Sequence, residues 1–297
     1  MTQKQQWGYG GLLVLLAMIW GLCFVVQDVG NAMGAFAFNG IRCLLGGLCL
    51  LPAWAITRNR QSSIVNRQLN KTTWVGGLIC GLVLFIASSL QQHGLRFTTV
   101  GKAGFLTALY VVFVPLGGLF LKKRVGWNVW LAVAGAVIGL YLLCLTETLR
   151  LAPGDALVFG CAVMYAVYIL LVAHYAPRAD TLLFTSLQLL VSGALGLAAM
   201  AAFETPSLPL ILFGWWTLLY AGLISSAVGL SIQMIAQRRV NPTVASLAFS
   251  LEAVFAALAG LIFLGQGMRA REVVGCVILF GATLFAQLNL SRKRMEN

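Results

Sequence analysis

The sequence predicts an all-α membrane protein, with ten transmembrane helices arranged as two inverted five-helix repeats. Three observations carry this. Of the 297 residues, 60% are hydrophobic and only 9% charged, against roughly 25% charged in an ordinary soluble domain. The apolar residues fall in continuous runs of about the 20 residues that a helix needs to cross a hydrocarbon core of roughly 30 Å. A stretch of the fourth run also reappears, in altered form, in the ninth. Continuous rather than alternating runs specify helices, because isolated strands in lipid leave backbone groups unpaired.

The first span is expected at 8 to 27. It ends in VVQDVG without a small-residue cleavage pattern, so it is read as a retained helix and not a signal peptide. The second, 35 to 57, carries Arg42 about seven residues, or roughly 10 Å, from one end. The third, 73 to 92, holds Gly77 and Gly81 and runs up to Gln91, Gln92 and His93. The fourth, 99 to 121, contains Lys102 and Pro115; the fifth, 127 to 146, contains Gly135 and Gly139. The sixth, 154 to 174, carries Tyr165 and Tyr168; the seventh, 181 to 202, carries Gln188. The eighth, 213 to 236, includes Gln233; the ninth, 243 to 265, follows Pro242 and centres on Glu252; the tenth is 271 to 290. Pro115 and Pro242 are expected to bend the fourth span and the start of the ninth. The small-xxx-small pairs Gly77/Gly81, Gly135/Gly139 and Ala256/Gly260 suit close helix packing, within the chain or across a homodimer face.

The net charge of +12 reads as topology, not as a nucleic-acid-binding surface. With the N-terminus inside, the cytoplasmic segments hold Lys4, Arg58, Arg60, Arg67, Lys71, Lys122, Lys123, Arg124, Arg178, Arg238, Arg239, Arg292, Lys293 and Arg294. Only Arg96, Arg150, Arg269 and Arg271 fall outside, so the bias places both termini in the cytoplasm of a cell membrane, a bacterial inner membrane being the expected one. Trp7, Trp54, Trp74, Trp127, Trp130, Trp215 and Trp216 sit near span ends, where an amphipathic indole settles; Trp20 alone is deep.

The internal repeat is clearest where Leu109 to Leu121, LYVVFVPLGGLFL, lies ungapped on Leu251 to Phe263, LEAVFAALAGLIF. At similar offsets Phe38 faces Phe184, Arg42 faces Gln188, Gly47 faces Gly193 and Trp20 faces Tyr165. Residues 1–150 and 151–297 are therefore read as two five-helix repeats. Five is odd, so the second copy enters from the opposite side, and two inverted halves can exchange conformations around a site held between them.

The IWG at Ile19 to Gly21, the FNGIR at Phe38 to Arg42, the GLRFTTVGKAGFLTALYVVFVPL stretch and SLEAVFAALAGLIFLGQ at Ser250 to Gln266 resemble the drug/metabolite transporter superfamily, in its EamA-type branch of ten-helix proteins. The resemblance spans nearly the whole chain. It implies export of amino acids, drugs or other small metabolites. Two departures stand out. Glu252-Ala253 replaces a common Glu-Pro, which predicts a straighter ninth helix, and Gly265-Gln266 replaces a Gly-Glu.

The candidate substrate-binding residues are Trp20, Phe24, Arg42, Tyr165, Tyr168, Gln188 and Glu252. A charged side chain at mid-membrane costs roughly 2.5 to 3.5 kcal/mol, so Glu252 must be protonated, paired or facing water; it is the candidate proton-coupling residue or ammonium ligand. Arg42 either clamps a substrate carboxylate or pairs with Glu252 or backbone carbonyls. Lys102 is expected to snorkel to the interface. Trp20, Phe24, Tyr165 and Tyr168 are candidates for the walls of an apolar pocket. Gln91, Gln92, His93, Gln188 and Gln233 serve either as interhelical hydrogen-bonding groups or in the site.

The seven cysteines form no CxxC pattern near histidine, so neither a metal nor a disulfide framework is expected. No cofactor is expected, and without a nucleotide-binding motif the energy source is a proton gradient or exchange. An enzyme would need a catalytic constellation, and a channel a filter or charge ring; neither pattern is present. The expected partners are the lipid bilayer, a small-molecule substrate and protons. The leading reading is proton-coupled export of an amino acid or related metabolite; a facilitated exchanger or multidrug exporter is the alternative.

Overall fold

The computed structural model describes residues 3–60, 71–98, 100–122, 125–144, 153–264 and 267–295. Within these the chain is helical throughout, with no strand. Helix α1 is Gln3–Gly30, α2 Ala35–Arg60, α3 Lys71–Gly94, and the fourth crossing is split into α4, Val100–Ala108, and α5, Tyr110–Phe120. Then come α6, Trp127–Cys144, α7, Pro153–Tyr175, and α8, Thr181–Phe203. The eighth crossing follows a short helix, α9, Leu208–Phe213. It is built from α10, Trp215–Leu219, a π-helical segment, Tyr220–Val228, and α11, Gly229–Gln237. The ninth is split into α12, Pro242–Phe249, and α13, Glu252–Leu264, and α14 is Ala270–Met295. Nine stretches among the described residues are long and apolar enough to cross a membrane. The tenth expected span falls on α14. Trp74, Trp127, Trp215 and Trp216 all keep exposed indoles.

The repeat is visible in which residues meet. A methyl group added at Gly47 would come within 2.9 Å of Leu190, and one added at Gly193 within 2.7 Å of Leu44. These four positions are two pairs of repeat equivalents in a reciprocal, antiparallel crossing of α2 on α8. Close antiparallel contact also occurs between α6 and α14, through glycines that are not repeat equivalents. A methyl at Gly139 would lie 2.8 Å from the backbone of Gly275 and Leu279, and one at Gly275 2.7 Å from that of Gly139 and Leu143. Antiparallel reciprocity requires a pseudo-two-fold axis perpendicular to these helices, hence in the membrane plane, which is the inverted repeat. Gly77 and Gly81 likewise seat α3 against Leu187 and Val191 of α8. The glycine pairs on α3 and α6 are thus used inside one chain.

At one end of the α2/α8 pair the Glu204 carboxylate accepts the backbone N–H groups of Phe36 at 3.0 Å and Ala37 at 2.9 Å. It thereby satisfies donors that the first turn of α2 would leave unpaired. Gly34 precedes them at φ 101°, and a side chain there would also strike Glu204 at 2.6 Å.

Neither Pro115 nor Pro242 lies at the break within its crossing. Pro115 lies inside α5, and the fourth crossing breaks earlier, at Leu109. Pro242 opens α12 at a position where a missing N–H costs nothing. The ninth crossing is also broken, at Ser250 and Leu251, although Ala253 in place of a common proline predicted a straighter helix there. At both breaks the backbone tightens to bonds between residues three apart, from Val112 N to Leu109 O at 2.9 Å and from Ala253 N to Ser250 O at 3.2 Å. In the ninth crossing the hydroxyls of Ser246 and Ser250 each donate to a carbonyl three residues back, at 2.8 Å, competing with the backbone ladder. Gly265-Gln266 and the Arg67, Lys123, Arg124 and Arg150 charges lie outside the described residues.

Candidate functional site

A cavity of about 90 Å³ lies between the two halves, walled by every long helix except α6 and α14. Space of this size holds several waters. Of the seven candidate residues, six line it: Trp20 and Phe24 from α1, Arg42 from α2, Tyr165 and Tyr168 from α7, and Glu252 at the start of α13.

The aromatic walls are fixed by their polar tips. Trp20 Nε1 donates to the carbonyl oxygen of Ser225 at 3.2 Å, and its ring meets Phe249 edge-on, with centroids 5.3 Å apart. Ser225 lies in the π-helical segment, a geometry that recurs at functional sites in membrane and soluble helices alike. Tyr165 donates to Gln91 Oε1 at 3.2 Å, and Gln91 in turn donates to Thr107 at 3.3 Å. Tyr168 donates to Gln188 Oε1 at 3.0 Å. Gln188, the seventh candidate, is not among the residues that line the cavity, and its side-chain carbonyl holds Tyr168.

Glu252 is 6% exposed and Oε1 accepts the Tyr110 hydroxyl at 3.0 Å. Tyr110 and Glu252 are repeat equivalents, each the first residue after a helix break, so this hydrogen bond lies at the pseudo-two-fold axis. Gly21 allows the approach of α1. A methyl there would come within 2.6 Å of the Glu252 carbonyl and of Phe255 Cβ, which is why a glycine follows Trp20. Arg42 is 7% exposed. Its Nε donates to Asn39 Oδ1 at 2.8 Å, Asn39 donates to Ser88 O at 3.0 Å, and the guanidinium stands 5.5 Å from the centre of the Phe38 ring. No carboxylate among the described residues pairs with Arg42, so the Arg42–Glu252 ion pair is not formed.

Lys102 is corrected: it does not snorkel but pairs with the buried carboxylate of Asp155, which also accepts from Thr98 at 2.7 Å. Asp155 was missed because its partner lies on another helix. Tyr110 was missed too, although the aligned stretches already set it opposite Glu252.

The sequence model of the EamA-like transporter family matches residues 8–145 and again residues 152–287. The chain belongs to the EamA-like transporter family. This EamA-like protein is 26% identical over 302 residues to an uncharacterised transporter of Archaeoglobus fulgidus, covering 97% of this chain and 91% of that protein. It is 25% identical over 291 residues to the threonine/homoserine exporter RhtA of Escherichia coli K12, covering 95% of this chain and 92% of RhtA. A third relative, the uncharacterised transporter YoaV of Bacillus subtilis, is 20% identical over 290 residues, covering 95% and 98%. A solved crystal structure superposes over 100% of both chains with a TM-score of 0.77 at 20% identity, a likeness of fold alone. With its apolar helices and its family, this EamA-like chain is a multi-pass membrane transporter.

Proposed function

We propose that this transporter exports an amino acid or closely related zwitterion by alternating access, driven by protons exchanged at Glu252. The observation that carries the reading is that a guanidinium and a carboxylate line one cavity without pairing with each other. Arg42 offers a fork of donors to a substrate carboxylate, and Glu252 offers an acceptor to an ammonium group. Only one cation at a time fits a single buried carboxylate, so proton and ammonium compete at Glu252. Loading from the cytoplasm displaces the proton and release outside restores it, which couples the two flows. The name of RhtA, an exporter of threonine and homoserine, supports the same class. The inverted halves, meeting at Tyr110 and Glu252, supply two exchangeable arrangements around the site. On the same reading the protein sits in a bacterial inner membrane, the loop-charge bias supports cytoplasmic termini, and the two halves divide near residue 150.

The test uses everted vesicles with an acidic lumen, offered a panel of amino acids, nucleosides and cationic drugs, with mass spectrometry of what accumulates. Wild type is expected to concentrate an amino acid in a gradient-dependent way, and Glu252→Gln to lose at least about 90% of that accumulation. Gradient-driven accumulation undiminished in Glu252→Gln removes the coupling role; accumulation of the other compounds alone removes the substrate class.

A further inference from the structure

Gln233 also faces this cavity, from α11, and is 1% exposed. Its amide is oriented by a relay: Nε2 donates to Gln237 Oε1 at 3.0 Å, and Gln237 Nε2 donates to the Ile169 carbonyl at 3.2 Å. With the nitrogen end committed to Gln237, the carbonyl end is fixed as well, and Gln233 Oε1 has no hydrogen-bond partner. A buried amide oxygen accepts up to two hydrogen bonds and is costly to leave without any. Arg42 supplies donors only and Glu252 carries the one carboxylate of the cavity, so Gln233 Oε1, fixed in orientation and without a partner, is a neutral acceptor still unused once a zwitterion's two charges are matched.

We infer that Gln233 Oε1 is a specificity-determining acceptor for a hydroxyl group on the side chain of the transported amino acid. The inference rests on the zwitterion reading above and adds to it: the preferred solutes are hydroxylated amino acids, and their apolar isosteres are discriminated against. Threonine and valine differ by this one group at nearly constant shape. A valine methyl in the hydroxyl's place leaves Oε1 unsatisfied, whereas threonine donates to it. The discrimination belongs to binding, so it appears in the threonine-to-valine ratio and not in the gradient dependence.

The experiment measures initial rates of threonine and valine entry into the same everted vesicles at equal, sub-saturating concentrations. Wild type is expected to favour threonine by about tenfold or more, the scale of one unmet buried hydrogen bond. Gln233→Met, which keeps the length but lacks the acceptor, is expected to bring the ratio within about threefold of unity while valine still enters. A role confined to helix packing would lower both rates together and leave the ratio as it was. A wild-type ratio near one, or a ratio preserved in Gln233→Met, overturns the inference while the zwitterion reading stands. Wild-type vesicles that move no amino acid at all overturn both. Should Gln233→Met fail to fold, the wild-type ratio decides.

Discussion

Lys102 and Asp155 are each the third residue of a helix, and the two helix starts treat them differently. The N-terminal dipole of α7 favours the Asp155 carboxylate, whereas that of α4 opposes the Lys102 ammonium. The pair, with Thr98 as a second donor to Asp155, compensates the unfavourable end. Removing one partner strands a charge in a mostly buried place, which typically costs about 3 to 5 kcal/mol. Purified Lys102→Met and Asp155→Asn proteins are each expected to unfold at a lower temperature than wild type. The double variant is expected to regain at least about half of the loss, because no lone charge remains; additive losses would show that the pair contributes nothing. What could be read of the site at this scale followed from chemistry that needs no neighbour. Arg42 and Glu252 stood out because a charge deep in an apolar run demands an explanation. Tyr110 was available in the repeat alignment. Asp155 was not, since a carboxylate near a span end is common and its partner lies on another helix, and Gln233 stood only among five polar groups open to either role until its orientation by Gln237 was visible.

Helices α6 and α14 line no part of the cavity and cross each other through Gly139 and Gly275, backbone against backbone. A methyl at Gly139 meets backbone atoms at 2.8 Å, which cannot move without moving a helix, while a methyl at Gly135 meets only Ala282 Cβ at 3.2 Å. Gly139→Ala is therefore expected to destabilise by about 1 to 3 kcal/mol, the range of overpacking in a tight core. Gly135→Ala is expected to cost under about half of that. Thermal unfolding of the two purified variants side by side checks the contrast, and equal losses would remove the close-approach explanation. Span positions were legible because hydropathy alone sets them. The breaks at Leu109 and Ser250 were not, because they arise from a local change of hydrogen-bond spacing that needs no proline and that, in the ninth crossing, serine hydroxyls assist. The π-helical segment was hidden for the same reason: its residues are ordinary helix formers, and its widened turn is a backbone feature.

Across the whole molecule, orientation rests on the loop charges and not on the packing. A reporter fused after Asn297 is expected to fluoresce as a cytoplasmic fusion and to stay inactive as a periplasmic phosphatase, and a phosphatase placed after Arg96 is expected to be active. The opposite pattern would invert the assignment. The reciprocal contacts of Gly47 with Leu190 and Gly193 with Leu44 have the self-complementary form of an interface between two identical subunits. Joined in one chain, they form a dimer with its partner built in. One half alone would leave the glycine faces of α2 and α6 uncovered in lipid, and a second copy inserted the same way up would not cover them, since the crossings are antiparallel. Only a copy turned upside down would. A free half would thus have to enter the membrane in both orientations to be whole, whereas the tandem chain needs a single decision about which way to face.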